Sequence, residues 1–315
     1  MPNKLYLECY SGISGDMTVA ALLDLGADQQ VLLEGLESLN LPGYQLKIGR
    51  VKKNGIDAFD FDVILDEPEH DHEHHHDHDH EHHHHHDHEH HHHHDHEHHH
   101  DHDHEHHHHH DHEHHHHHDH EHHHDHEHEH HHDHDHEHHH HHDHVHRNIG
   151  DIFAIIDQSK ISDRAKQTAK DIFRIIAAAE SKAHGIAEDQ VHFHEVGAVD
   201  SIVDIVSAAI CLDNLDITEA VVSDLYEGCG YVHCQHGLMP VPVPAVVNIA
   251  ADNALRLRLT QTRGEMITPT GAAIAAYLSK GGKLPESFVI EKIGLGAGKK
   301  DFATANILRA FLIRD

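Results

Sequence analysis

The chain has 315 residues and a formal net charge of −34, but its composition divides it into two unlike materials: from His70 to His146 every residue except Val145 is His, Asp or Glu. This tract holds 53 of the 58 histidines and 23 of the 56 acidic residues, which leaves 238 ordinary residues with 33 acidic against 22 basic groups, a net charge of −11. That is enough chain for one large or two small cores, and an acidic surface without a basic stripe excludes nucleic acid and anionic membranes as partners.

No run of 18 or more apolar residues occurs, and the opening MPNKLYLECY lacks the charged-then-apolar pattern of a secretory leader. A cytoplasmic protein is expected. Cys9, Cys211, Cys229 and Cys234 form no CxxC pair and are too few to staple a chain of this size, so reduced thiols are expected.

In chain order, Lys4 to Tyr10 reads as a strand, followed by the loop Ser11-Gly-Ile-Ser-Gly-Asp16 and an apolar helix from Met17 to about Leu25. A second short helix is predicted near Val31 to Leu39. Tyr44 to Val51 and Ile56 to Leu65 read as strands joined around Asn54-Gly55, a favoured hairpin turn. The tract that follows has no apolar face to offset the entropy of ordering its backbone, so a disordered insertion is expected over 70–146, between an N-terminal portion, 1–69, and a main portion, 147–315. With histidines half protonated near pH ~6.5, its charge changes sign close to there; above neutrality it is an anionic, imidazole-rich sponge for metal ions.

Helical patterns resume at Ile149 to Ile156, Asp163 to His184 and Ser201 to Leu212. Strand-like runs at Ala220 to Tyr226, Arg256 to Thr262, Phe288 to Ile293 and Ile307 to Ile313 alternate with helix-like Pro244 to Ala251 and Gly271 to Leu278. The fold class is α/β, with mixed α+β as the alternative.

The segment from Val191 to Asp204, VHFHEVGAVDSIVD, is the most informative ordinary stretch. If its start is extended, His192 and His194 share a face, and Asp200 and Asp204 share one on the helix that follows. Imidazole with carboxylate suits a borderline divalent ion such as nickel or zinc; the alternative is histidines that only cap or hydrogen-bond. A second cluster, Cys229-Gly-Tyr-Val-His233-Cys234-Gln-His236-Gly237, brings thiolate and imidazole to a glycine-bounded turn, which equally suits a plain tight hairpin. His233, His236 and Cys234 join His192, His194, Asp204 and the tract as candidate metal ligands.

Ser11, Gly12, Ser14, Gly15 and Asp16 lie between strand and helix, where backbone amides and a helix N-terminus suit a phosphate, although no P-loop lysine is present. The alternative is a turn with Asp16 as N-cap. Thr268 and Thr270, before an alanine-rich helix, carry the same two readings, with Glu265 beside them as a further ligand. The run Gly294 to Gly298 is not spaced as GxGxxG.

The stretches YLECYSGISGDM, VHFHEVGAVDSIVDIV, HCQHGLMPVPVPA, EMITPTGAA and IGLGAGKKDF, in this order, resemble the LarC family along nearly all of the ordinary sequence. The resemblance implies insertion of nickel into a pyridinium bis-thiocarboxylate mononucleotide, in a CTP-consuming reaction, to make the nickel-pincer cofactor of lactate racemase. It implies the partners that go with that reaction: the mononucleotide substrate, a C-terminal LarC module that holds CTP with a divalent metal, apo-lactate racemase, and an oligomeric assembly. Longer members continue beyond the point that matches Asp315, so the chain is expected to need that module. Within the resemblance, loss of a ring proton on metallation makes Glu195 or Asp200 the base. A nickel store acting through the tract alone and a metal-dependent hydrolase built on the His192 cluster are the competing readings.

Dozens of imidazoles in one tract offer many equivalent sites of no fixed geometry, from which protons displace metal below pH ~6. Calorimetry at neutral pH should count many nickel ions per chain, with binding lost on acidification; a stoichiometry of one or two would overturn this.

Overall fold

The computed structural model describes residues 3–66, 147–191, 199–234 and 236–314. The His-rich tract lies outside them. Residues on both sides of the tract build one six-stranded mixed sheet: β1 (Asn3–Glu8), β2 (Tyr44–Lys53), β3 (Ile56–Leu65), β4 (Ile217–Val222), β9 (Val289–Ala297) and β10 (Ile307–Arg314), in the spatial order β2-β3-β9-β10-β1-β4. β1 is an interior strand next to the edge, antiparallel to β10 and parallel to β4. Two smaller pairs, β5 (Leu225–Cys229) with β8 (Leu257–Arg263) and β6 (Tyr231–Cys234) with β7 (Gly237–Pro240), stand beside it.

Alternation along the strands assigns the faces. Leu5 and Leu7 of β1, with Leu308, Ala310 and Leu312 of β10, enter the main core, whereas Tyr6, Phe311 and Ile313 form a smaller cluster on the opposite face. The main core lies against the helices α1 (Gly15–Asp24), α2 (Gln29–Glu37), α3 (Ile149–Gln158), α4 (Asp163–His184), α5 (Val199–Asn214), α6 (Pro244–Asp252) and α7 (Pro269–Leu278). Side-chain caps start several of them: Asp28 accepts from the amides of Gln30 and Val31, Asn148 and Asp151 form a reciprocal capping box, and Ser162 caps α4, which ends on left-handed Gly185. No helix among the described residues is long and apolar enough to cross a membrane.

The structure is mixed α/β, as the pattern of elements predicts, with differences at several boundaries. The run Ala220 to Tyr226, read as one strand, is two. The chain leaves the large sheet after Val222, where the Ser223 amide donates to Leu7 and its hydroxyl accepts from the Cys9 amide, and β5 then pairs with β8 instead. The first helix starts at Gly15, two residues earlier than its apolar pattern, with Ser14 rather than Asp16 at the cap position. The late glycine run is a packing device: a Cβ on Gly294 or Gly296 would stand 2.2 Å from the Ala21 carbonyl oxygen or 1.9 Å from that of Met17, so β9 and α1 touch backbone to backbone.

Gly296→Ala therefore forces main chain apart, an overpacking cost of about 1–3 kcal/mol. Thermal unfolding should show Tm lowered by about 2–4 °C per kcal/mol for a domain of this size; an unchanged Tm would mean that α1 gives way freely.

Candidate functional site

Two segments that read separately as phosphate-binding loops lie side by side. Ile13 forms a parallel bridge with Ile267: its amide donates to the Met266 carbonyl, and its carbonyl accepts from the Thr268 amide at 3.1 Å. Gly12, at φ +89°, permits this contact, because a Cβ there would fall 2.0 Å from the Met266 oxygen. Gly271 in the first turn of α7 likewise approaches Ile13 and Ser14 with no room for a side chain. The 266–268 strip is fixed from below by Glu227, which is fully buried; its Oε1 accepts from the amides of Gly228 and Met266, both at 2.7 Å, and of Ile267 at 3.3 Å. Burial still raises the Glu227 carboxyl above its ordinary range. No sequence pattern singles out Glu227, since its partners are main-chain amides, one adjacent and two about forty positions away.

Against this wall stands the start of α5. Gly15 has Asp204 directly over it, with a Cβ position only 2.5 Å from Oδ2, and Asp204 accepts from the Asp16 amide. The first turns of α1, α5 and α7 thus meet at one point and line a cavity of about 340 Å³. Three carboxyl groups share it. Burial raises Asp16, against hydrogen bonds from the Ser14 hydroxyl and the Met17 amide; burial raises Asp200; and burial together with the charges of Asp16 and Asp200 raises Asp204 well above the carboxylate range. The Oδ1 atoms of Asp200 and Asp204 are buried with no hydrogen-bond partner among the described residues.

Lys299 forms the cationic rim. Burial pulls its ammonium down, but hydrogen bonding to Asp60 at 2.8 Å and the charges of Asp60, Asp62 and Asp16 outweigh this and raise it. Lys300 holds Glu265 at 3.1 Å. The positive ends of three helices stabilise negative charge at the same point. The site therefore holds three carboxyl groups around one space.

Of the residues singled out from sequence, the structure gathers Ser14, Gly15, Asp16, Asp200, Asp204, Thr268 and Thr270 around this one cavity. Thr268 caps α7 by accepting from the Gly271 amide. Ser11 and Gly12 belong to the turn behind it. His192, His194 and Glu195 lie outside the described residues; their segment joins buried Val191 to Val199, the first residue of α5. Cys234 and His236 face each other across 4.0 Å, whereas His233 is exposed and one position out of step with Cys234 on β6. Among the described residues no group of three or more His, Cys, Asp or Glu side chains could hold a metal ion. No disulfide joins the four cysteines among the described residues; burial pushes Cys9 and Cys211 up to about 12.

The model of the family described as nickel insertion protein matches residues 5–315. The chain belongs to this family. It is 54% identical, over all of its length, to the pyridinium-3,5-bisthiocarboxylic acid mononucleotide nickel insertion protein of Alkaliphilus metalliredigens, covering 61% of that relative. Proteins of the same name from Acetivibrio thermocellus and Clostridium acetobutylicum are 35% and 40% identical over 98% of the chain, which covers 60% and 63% of them. The chain thus spans about three fifths of the length of these curated relatives. No solved structure matches it.

A carboxyl whose pKa is raised by folding binds its proton more tightly in the native state. Its contribution to stability is present below the unfolded pKa of about 3.9 and is lost as pH rises through the folded value. Asp204→Asn keeps an acceptor for the Asp16 amide and removes this ionisation. Its Tm should exceed that of the parent by an amount that grows as pH rises above the unfolded value; a pH-independent difference in scanning calorimetry would show that the surroundings do not raise the Asp204 carboxyl.

Proposed function

We propose that this chain carries the metallation step of nickel insertion into pyridinium-3,5-bisthiocarboxylic acid mononucleotide, and that the cavity under α1, α5 and α7 is where the substrate's protons are taken up. The observation that carries the reading is the packing of Asp16, Asp200 and Asp204 around one space, with Asp204 pushed furthest from its ordinary range. The family and the names of its members supply the substrate.

Binding nickel through two sulfur atoms and a ring carbon exchanges the ring C–H proton for a metal–carbon bond. That proton needs an acceptor within reach. A general base works best with a pKa near the working pH, and an ordinary aspartate is too weak. Burial moves all three in the required direction, and the charges of Asp16 and Asp200 push Asp204 further. Asp200 or Asp204 takes the proton, and Glu195, five residues before Asp200 in the sequence, is the other candidate base. The helix N-termini of α1 and α7, with Ser14, Thr268 and Thr270, suit the substrate's phosphate. Nickel is cargo, delivered from the His-rich tract when the metal is scarce. CTP with its divalent metal is assigned to the C-terminal module that longer relatives carry, and apo-lactate racemase to the end of the route.

The test combines the chain, the C-terminal module of the Alkaliphilus metalliredigens relative, precursor, CTP and excess nickel, with cofactor formation followed by activation of apo-racemase. Asp200→Asn and Asp204→Asn should each lower the rate by about 10²-fold or more, without rescue by further nickel, whereas deletion of 70–146 should matter only at limiting nickel. Rates equal to the parent in both carboxamide variants would sink the proposal.

A further inference from the structure

A groove of about 670 Å³ opens beside the small Tyr6 cluster and shares no residue with the carboxylate cavity. Tyrosines form one part of it. Tyr6 is buried in the floor with Val221, stacked on Phe311, and its side chain is hydrogen-bonded to that of Tyr10. Tyr10, just beyond β1, is 48% exposed, and its ring lies 5.0 Å from that of Tyr226, centroid to centroid. The rest of the lining is cationic. Arg258 is paired with Tyr226 across the β5–β8 ladder, Arg256 stands two positions before it on the same face, and Lys283 is the third cation.

Main-chain bonds fix these positions: the Tyr226 amide donates to the Cys9 carbonyl at 3.1 Å, and the Leu225 amide to the Arg256 carbonyl at 2.8 Å. Asp224 is the single carboxylate among the lining residues, and it accepts from Arg258 Nε at 2.6 Å. Arg258 thus neutralises it. Among the described residues the exposed side chains of Arg256 and Lys283 have neither a hydrogen bond nor an ion pair. One acid against three bases leaves two positive charges uncompensated, in a chain whose ordinary residues sum to −11. Packing does not account for that excess.

We propose that this groove binds an aromatic mononucleotide, with its ring on Tyr10 and its phosphate on Arg256 and Lys283. An exposed tyrosine face beside an apolar floor takes a flat ring out of water, and a guanidinium fork matches two phosphate oxygens at once. The volume lies in the range of small-ligand sites. A nucleobase and a pyridinium share this chemistry, and a pyridinium adds the attraction of its positive charge to the tyrosine face. Tyr10 and Ser14 stand at opposite ends of one loop. The groove is therefore a second site, and its ligand does not depend on where metallation occurs.

The test uses the full chain in EDTA at about pH 8, where the tract carries no metal and its histidines are neutral. Calorimetric titrations compare nicotinic acid mononucleotide, cytidine 5′-monophosphate and ribose 5-phosphate. At least one of the two aromatic mononucleotides should bind about tenfold or more tighter than ribose 5-phosphate, and the tighter one identifies the ring that the groove accepts. Tyr10→Ala and Arg256→Gln should each weaken that binding about fivefold or more. Arg263→Gln, at the last residue of β8 and outside the lining, should leave it unchanged. Failure of both mononucleotides to bind at millimolar concentration, equally tight binding of ribose 5-phosphate, or unchanged affinity in Tyr10→Ala or Arg256→Gln would overturn the proposal. Because the readout needs neither nickel nor turnover, such a failure leaves the cavity's role standing, and unimpaired insertion in the Asp200 and Asp204 variants leaves this groove standing.

Discussion

The backbone at and just before α1 meets its neighbours closely at glycines, and the rest of the structure depends on those contacts. Gly296 of β9 meets the Met17 carbonyl, Gly15 itself lies under Asp204, and Gly271 of α7 meets Ile13 and Ser14. Each contact removes the space that one methyl group would need. Together they draw β9, α5 and α7 in around the first turn of a ten-residue helix, and the cavity is the space left over.

Such closeness has an electrostatic cost. Three helix N-termini and Lys299 favour negative charge at the meeting point, but burial and mutual repulsion work against ionising Asp16, Asp200 and Asp204 all at once. The result is a group of acids that holds a proton more tightly than ordinary aspartates do. A hydrophobic residue in place of Asp204 would pack at no such cost, so its carboxyl is retained against stability. Glu227 shows the contrasting solution: as fully buried as any core residue, it directs one oxygen to three amides and serves as a fastener for the 266–268 strip.

The elements were legible wherever periodicity was strong. The β2–β3 hairpin follows from alternation around Asn54-Gly55, and α4 from its apolar stripe between Ser162 and Gly185. The split between β4 and β5 was not legible, because the Val-Val-Ser-Asp-Leu-Tyr run has strand character throughout and only tertiary hydrogen bonds to Leu7, Cys9 and Arg256 decide where it changes sheet. At the cavity the residue types were readable one loop at a time. Their union was not, since Ile13 and Ile267 are paired by a bridge across some 250 positions. Sequence alone also gave no reason to connect His184, at the end of an ordinary amphipathic helix, with the turn at His236.

The position of β1 determines when folding can finish. The first strand of the chain is flanked in the sheet by β4 and β10, so Leu5 pairs with Ala220 on one side and Leu312 on the other. At a synthesis rate of about 5–20 residues per second, β1 waits roughly 15–60 s on the ribosome for its second neighbour. The tract at 70–146 is made within that interval, long before the sheet can close. The tract's 53 histidines are thus synthesised well before the strand that completes the sheet.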